Sequence, residues 1–243
     1  MTKRQLDERP AVEIEIVRDE SDTMRSSEGF VRVRRLVVRN RYGDGTTSAE
    51  YRYDCAERDA MDAVGILLVD RQGRVCLRSS IRPPLSLRPG YSLPLASEES
   101  GDPTLFEIPA GLVEVDEKGE DGLCGCCARE TLEEVGLVVA ASAFTRLGPG
   151  VYLTPGLIAE KVHVFVAEVD SGAAGAPTMD GSPVEERAQI EWVPLADALE
   201  ACRDGRIRDV KTEVALRRLE ESRSGRSSSL EESRSGRASR QQP

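Results

Sequence analysis

Three carboxylates are spaced to share one face of one helix. In Ala128-Arg-Glu-Thr-Leu-Glu-Glu-Val-Gly-Leu137, the residues Glu130, Glu133 and Glu134 stand at i, i+3 and i+4, positions that lie together on a helical surface. Gly136 marks the predicted end of that helix, because glycine is favoured just past a helical C-terminus. Like charges placed this way repel one another. A divalent cation relieves the repulsion, since Mg2+ is held by a few carboxylates together with water and substrate phosphates. Arg129 can pair with Glu133 and steady the cluster. The same spacing also suits an ordinary solvated acidic face. Chemistry is favoured by what precedes it: the apolar run Phe106-Glu-Ile-Pro-Ala-Gly-Leu-Val113 ends a strand at a glycine turn facing the helix.

These residues resemble the signature of the Nudix hydrolases, G-x5-E-x7-R-E-U-x-E-E-x-G-U, where U is aliphatic. Gly111 and Glu117 match its first half, and Arg129, Glu130, Glu133, Glu134, Gly136 and Leu137 its second. The interval from Glu117 to Arg129 is four residues longer than the signature, so residues 115–122 are expected to bulge as a longer loop. Counted back from Arg129, Asp121 rather than Glu117 takes the regular position. Thr131 stands where an aliphatic residue is usual.

The elements that must position this cluster can be read from a chain of 243 residues, long enough for one or two domains. A net charge of −10 and a pI near 4.9 argue against a nucleic-acid or membrane-surface partner. An acidic protein acting on phosphates needs local cations, either metal ions or placed arginines. No apolar run approaches membrane-spanning length and the first residues lack a secretory apolar core, so a soluble, cytoplasmic protein is expected. Six cysteines include the cluster Cys124, Cys126 and Cys127; with one distant histidine, His163, they read as small buried residues rather than a zinc site. His163 itself lies in an alternating strand and reads as structural.

Residues 1–10 read as a loose tail. Alternating apolar and charged residues predict strands at 12–17, 30–40 and 47–54, the last two joined by a turn at 42–46. Segments 63–70 and 75–78 bracket a second hairpin. Residues 85–103, rich in Pro, Ser and Gly, read as a long surface loop. Strands are predicted at 143–152, 161–169 and 189–194, and helices at 195–203 and 208–221. Residues 219–226 and 230–237 repeat the same polar sequence, Leu-Glu-Glu-Ser-Arg-Ser-Gly-Arg, too poor in apolar groups to fold.

Over residues 12–221 this layout resembles one Nudix branch, the ADP-ribose pyrophosphatases and related nucleotide-sugar diphosphatases. The resemblance rests on an N-terminal β segment ahead of the box, on Pro155, Gly156 and Glu160 after it, and on the closing segment Asp204–Leu216. It implies an α+β fold: a Nudix α/β/α sandwich with a mixed sheet, preceded by a small antiparallel β domain. The domain limits it implies are a flexible 1–10, a dimerising β domain at 11–58, a catalytic domain at 59–221, and a disordered tail at 222–243. It further implies a homodimer with swapped β domains, and two to three Mg2+ or Mn2+ ions held by Glu130, Glu133, Glu134 and the carbonyl of Ala110. The general base is expected at Glu186, with Glu185 as the alternative. Arg82 is expected on a phosphate, with Leu112, Glu160 and, across the dimer, Tyr53 and Asp54 near the rest of the substrate. The implied reaction is hydrolysis of ADP-ribose to AMP and ribose 5-phosphate. A UDP-sugar diphosphatase and a non-catalytic nucleotide sensor are the alternatives.

Overall fold

Arg32–Val38 (β1) and Tyr51–Glu57 (β2) form an antiparallel ribbon, in register from Arg32 opposite Glu57 to Val38 opposite Tyr51. Its turn is closed by the Asp44 carboxylate, which accepts from the Thr46 amide at 2.9 Å and the Thr46 hydroxyl at 2.7 Å. The structure is a computed structural model in which residues 30–91, 101–178, 183–184 and 187–238 are described, with side chains through Ser224. The strand expected at 12–17 and the tail at 1–10 lie outside the described residues.

The main sheet begins with Asp62–Asp70 (β3) and Arg74–Ile81 (β4). The Asp70 carboxylate makes the turn between them, accepting at 2.9 Å from the amides of both Gln72 and Arg74. Pro83–Leu87 (α1) follows, then Thr104–Glu107 (β5), Ala110–Leu112 (β6) and Gly119–Val135 (α2). Thr145–Arg146 (β7), Val151–Tyr152 (β8), Lys161–Val169 (β9) and Ile190–Pro194 (β10) complete the sheet. Leu195–Arg203 (α3) and Val210–Ala238 (α4) close the chain.

The eight strands run β10-β4-β3-β9-β7, with β5 paired to β4, β6 to β3 and β8 to β9. Among the described strand pairings of this sheet, β3–β9 alone is parallel, from Asp62 opposite Lys161 to Asp70 opposite Val169, so the sheet is mixed. β3 is buried from Ala63 to Asp70, as a central strand covered on both faces must be. Its period of two divides the core. Leu67 and Val69 pack with Leu199, Leu216 and Leu219 from α3 and α4, while Val64, Ile66 and Leu68 pack with Leu123, Cys126 and Cys127 from α2. Helices therefore cover both faces, in the α/β/α order that the resemblance implies. Full burial of a side chain the size of Ile66 or Leu67 contributes about 1.5–3 kcal/mol. Burial also raises the thiol pKa values of Cys126 and Cys127.

Several expectations need correction. The four extra residues in the box do not all bulge as a loop over 115–122: α2 begins at Gly119, so the insertion supplies an added N-terminal turn, where Glu120 and Asp121 suit the helix dipole. The loop expected at 85–103 starts with helical turns at 83–87 and 88–90, initiated by Pro83 and Pro84, whose fixed φ suits a first turn; residues 92–100 lie outside the described residues. The strand expected at 143–152 is broken into β7 and β8 at Gly148-Pro149-Gly150, where Gly148 takes φ +80°. The backbone of α4 extends to Ala238, into the segment 222–243 expected as a tail. Among the described side chains, the last apolar one of α4 in the core is Leu219.

Gly136 ends α2 at φ +71°, where its amide donates to the Leu132 carbonyl at 3.0 Å. A Cβ there would collide with the backbone of Gly175. Gly136→Ala is expected to destabilise the protein by at least about 1–2 kcal/mol, the cost of a left-handed alanine, seen as a lower urea midpoint at an unchanged m-value.

Candidate active site

β6 is the wall between two cavities. Ala110, Gly111 and Leu112 border one of about 460 Å3, lined also by Glu114, Glu130 and Glu133. The same three residues border another of about 410 Å3, lined also by Arg58, Arg82, Glu160 and Lys211. The first is acidic. The second carries cations.

Arg129 organises the acidic side. Its Nη1 donates to Glu130 at 2.7 Å and to Glu133 at 3.2 Å. Its Nε and Nη2 grip the Glu117 carboxylate at 3.1 Å each, and Nη2 also donates to the Leu112 carbonyl at 3.0 Å. Burial opposes the charge on Arg129, but Glu117 and Glu130 outweigh it and raise the pKa. Burial likewise works against ionised Glu117, and the Arg129 hydrogen bond reverses this, lowering its pKa. Glu117 therefore takes the first acidic place of the box, and Asp121 stays exposed on the added turn. Glu130 presses its carboxylate against Gly111, so closely that a Cβ at Gly111 would overlap it.

Glu134 behaves differently from its neighbours. It is buried, pairs with Arg78 on β4, and accepts from the Ala110 amide at 2.9 Å. The three glutamates thus divide, with Glu130 and Glu133 facing the acidic cavity and Glu134 drawn towards the sheet. Sequence reasoning missed Arg78. The available signal was a guanidinium directly after the apolar strand run Val75-Cys-Leu77.

On the cationic side, Arg82 makes a forked pair with Glu107, at 2.8 and 2.7 Å. Lys211, at the start of α4, pairs with the same carboxylate and lies 3.0 Å from Asp209. Arg58 pairs with Glu160 and donates to the Ala60 carbonyl at 2.6 Å. The cavity thus brings together Arg82, Ala110, Leu112 and Glu160 from the sequence-based set, and adds Arg58 and Lys211, which that set omits. Tyr53 and Asp54 stand outside it within one chain: Tyr53 donates to the Gly156 carbonyl at 2.7 Å, and Asp54 pairs with Arg35 at 2.8 Å. Glu185 and Glu186 lie outside the described residues.

Among the described residues, no group of three or more His, Cys, Asp or Glu side chains is arranged to hold a metal. The donors nevertheless fit one in kind. Glu130, Glu133 and the backbone of Ala110 border one cavity, and offer the oxygen ligands that hard cations such as Mg2+ and Mn2+ take. Glu134 does not line that cavity and is held by Arg78 and the Ala110 amide.

Residues 59–214 match the NUDIX domain. Among curated proteins, the chain is similar to GDP-mannose pyrophosphatases. That of Cronobacter sakazakii is 35% identical over 120 residues, 49% of this chain and 57% of the relative. Those of Salmonella paratyphi B and Escherichia coli are 34% and 35% identical, over 50% and 51% of this chain. The match spans 57–59% of the length of these relatives.

Glu107 is nearly fully buried. Burial disfavours its charge, yet Arg82 and Lys211 hold its pKa at about 2, below an ordinary 4.5. A depressed carboxylate stabilises the fold above its unfolded pKa and ceases to do so as pH falls through the folded one. Between about pH 5 and pH 2 the protein should therefore lose about 3 kcal/mol through this group. Glu107→Gln should be less stable at neutral pH, with a flatter dependence across that acid window. Urea unfolding at a series of pH values checks both.

Proposed function

The chain belongs to the NUDIX domain family, and we propose that it is a divalent-metal-dependent hydrolase of the pyrophosphate bond in nucleoside diphosphate sugars. Nudix hydrolases generally use divalent ions such as Mg2+. The observation carrying the proposal is the shared β6 wall, with an acidic cavity on one side and Arg58, Arg82 and Lys211 on the other. A pyrophosphate lying across that wall would reach Arg58, Arg82 and Lys211 at one end, and Glu130 and Glu133 would hold a charge-neutralising divalent ion at the other.

Water attacks one phosphorus, a new P–O bond forms, and the anhydride P–O bond breaks to release a nucleoside monophosphate and a sugar phosphate. Ions bound by Glu130, Glu133, Glu134 and the Ala110 carbonyl would neutralise the phosphates and make water more acidic. The chain's own residues do the remainder. Arg82, held by Glu107, orients the leaving phosphate. Glu186, or Glu185 beside it, accepts the proton from water. The exposed Val33, Val37, Tyr51 and Tyr53 on the ribbon support a homodimer, in which Tyr53 and Asp54 reach the neighbouring subunit's pocket.

Two substrates lead. ADP-ribose is favoured by the Pro155-Gly156 and Glu160 pattern, and Glu160 lines the cationic cavity. GDP-mannose is favoured by the names of the relatives. Hydrolysis of ADP-ribose, GDP-mannose and UDP-glucose with Mg2+ or Mn2+, followed by phosphorus NMR of the products, decides between them. Cleavage of none would refute the proposal.

Glu130→Gln removes a charge from the metal side. It should lower kcat by about 10²-fold or more at fixed metal, a scale set by the several kcal/mol that metal catalysis contributes. Excess Mn2+ should recover part of the rate. Glu186→Gln should lower kcat by about 10²–10⁴-fold with KM little changed, and added metal should not restore it. Parental turnover in Glu186→Gln would move the base to Glu185.

A further inference from the structure

Resting on the reading of α2 as the metal-binding helix, we propose that Arg78 sets how tightly the enzyme holds its divalent ion, by competing with that ion for Glu134. Arg78 acts through Glu134 and is a positioning residue.

Arg78 is in mid-sheet. Its strand β4 lies between β10 and β5, where Arg78 is opposite Ile190 on one side and Glu107 on the other. Both Arg78 and Glu134 have side chains only 4% exposed, so their pair is shut off from water. Glu134 has both oxygens engaged, Oε1 by Arg78 and Oε2 by the Ala110 amide at 2.9 Å. An ion recruiting this carboxylate has to displace the guanidinium or share Glu134 with it.

The Arg78 side chain is only 4% exposed and already lies against Glu134, so its positive charge stays beside any cation that Glu134 takes up. Two positive centres a few ångströms apart in a poorly hydrated interior repel strongly. The same arginine has an opposite effect when no metal is bound. It neutralises a buried carboxylate that would otherwise be uncompensated, a condition that destabilises folds strongly. Arg78 therefore exchanges metal affinity for stability of the metal-free protein. Arg129 differs in kind: its side chain is 28% exposed, at the rim of the acidic cavity, and it spreads its bonds over several acceptors.

The test is direct Mn2+ binding without substrate, read from the electron paramagnetic resonance of free Mn2+, in the parent, Arg78→Gln, Arg78→Met and Arg78→Lys. Removing the charge should tighten Mn2+ binding by about tenfold in the Gln and Met variants. Arg78→Lys, which keeps the charge, should stay near the parent. Metal-free Gln and Met variants should melt below the parent and gain more in Tm on saturation with Mn2+. Gln retains an N–H donor for Glu134 should Met prevent folding, and a Met variant that folds only with Mn2+ supports the proposal. Unchanged or weaker Mn2+ binding in the neutral variants would overturn it, leaving Arg78 as a purely structural partner. A parent that binds no Mn2+ would instead refute the metal-dependent function, and so is told apart from failure of this inference.

Discussion

The architecture of the site depends on holding several carboxylates close together around one short strand. Left alone, Glu117, Glu130 and Glu133 would repel one another. Arg129 offsets that repulsion by bonding to all three, and it ties the cluster to the Leu112 carbonyl of β6. The bond to a strand carbonyl is the decisive one, because it fixes the charge cluster to the sheet rather than to its own helix alone. Gly111 completes the arrangement by having no side chain where the Glu130 carboxylate rests. Charge balance and steric allowance meet at adjacent residues, so the Arg129 hub and the glycine form one device.

The parts of this arrangement governed by local rules could be read from the sequence. The end of α2 at Gly136 follows from a capping preference, and the spacing of Glu130, Glu133 and Glu134 follows from helical period. The apolar run Ala63–Asp70 beside a turn and the alternation in Lys161–Val169 marked the two central strands. What could not be read was pairing across the fold. Arg78 and Glu134 are 56 positions apart, and Lys211 and Glu107 are 104 apart; neither partner carries a pattern that points to the other. The box insertion failed for a different reason. Extra residues before a helix can lengthen either the loop or the helix, and the helix gained a turn because Glu120 and Asp121 suit its N-terminus.

Glu107 and Glu134 show one solution applied twice. Each is a buried acid tied to a cation on another element, Arg82 and Lys211 for Glu107 and Arg78 for Glu134. Their exposures differ in a way that matters. The Arg82 side chain is 49% exposed, so a buried anchor holds a cation whose outer part still reaches the cavity. Arg78 is enclosed with its partner and does not reach solvent.

Net charge explains why such local devices are needed. A chain at −10 repels an anionic substrate at long range and attracts divalent cations. At physiological salt the repulsion between exposed charges fades beyond about 8 Å, so approach to the site is governed by the charges nearest to it. On the cationic side of β6 those charges are Arg58, Arg82 and Lys211, and the acids paired with them, Glu160 and Glu107, lie on β-structure or beside it rather than in free solution. The pairing holds each cation in place before substrate arrives, which removes part of the entropic cost of ordering a long side chain on binding. The overall acidity then ceases to be an obstacle. It supplies the carboxylates Glu130 and Glu133 that border the cavity on one side of β6, and Glu107 and Glu160 that fix Arg82, Lys211 and Arg58 on the other.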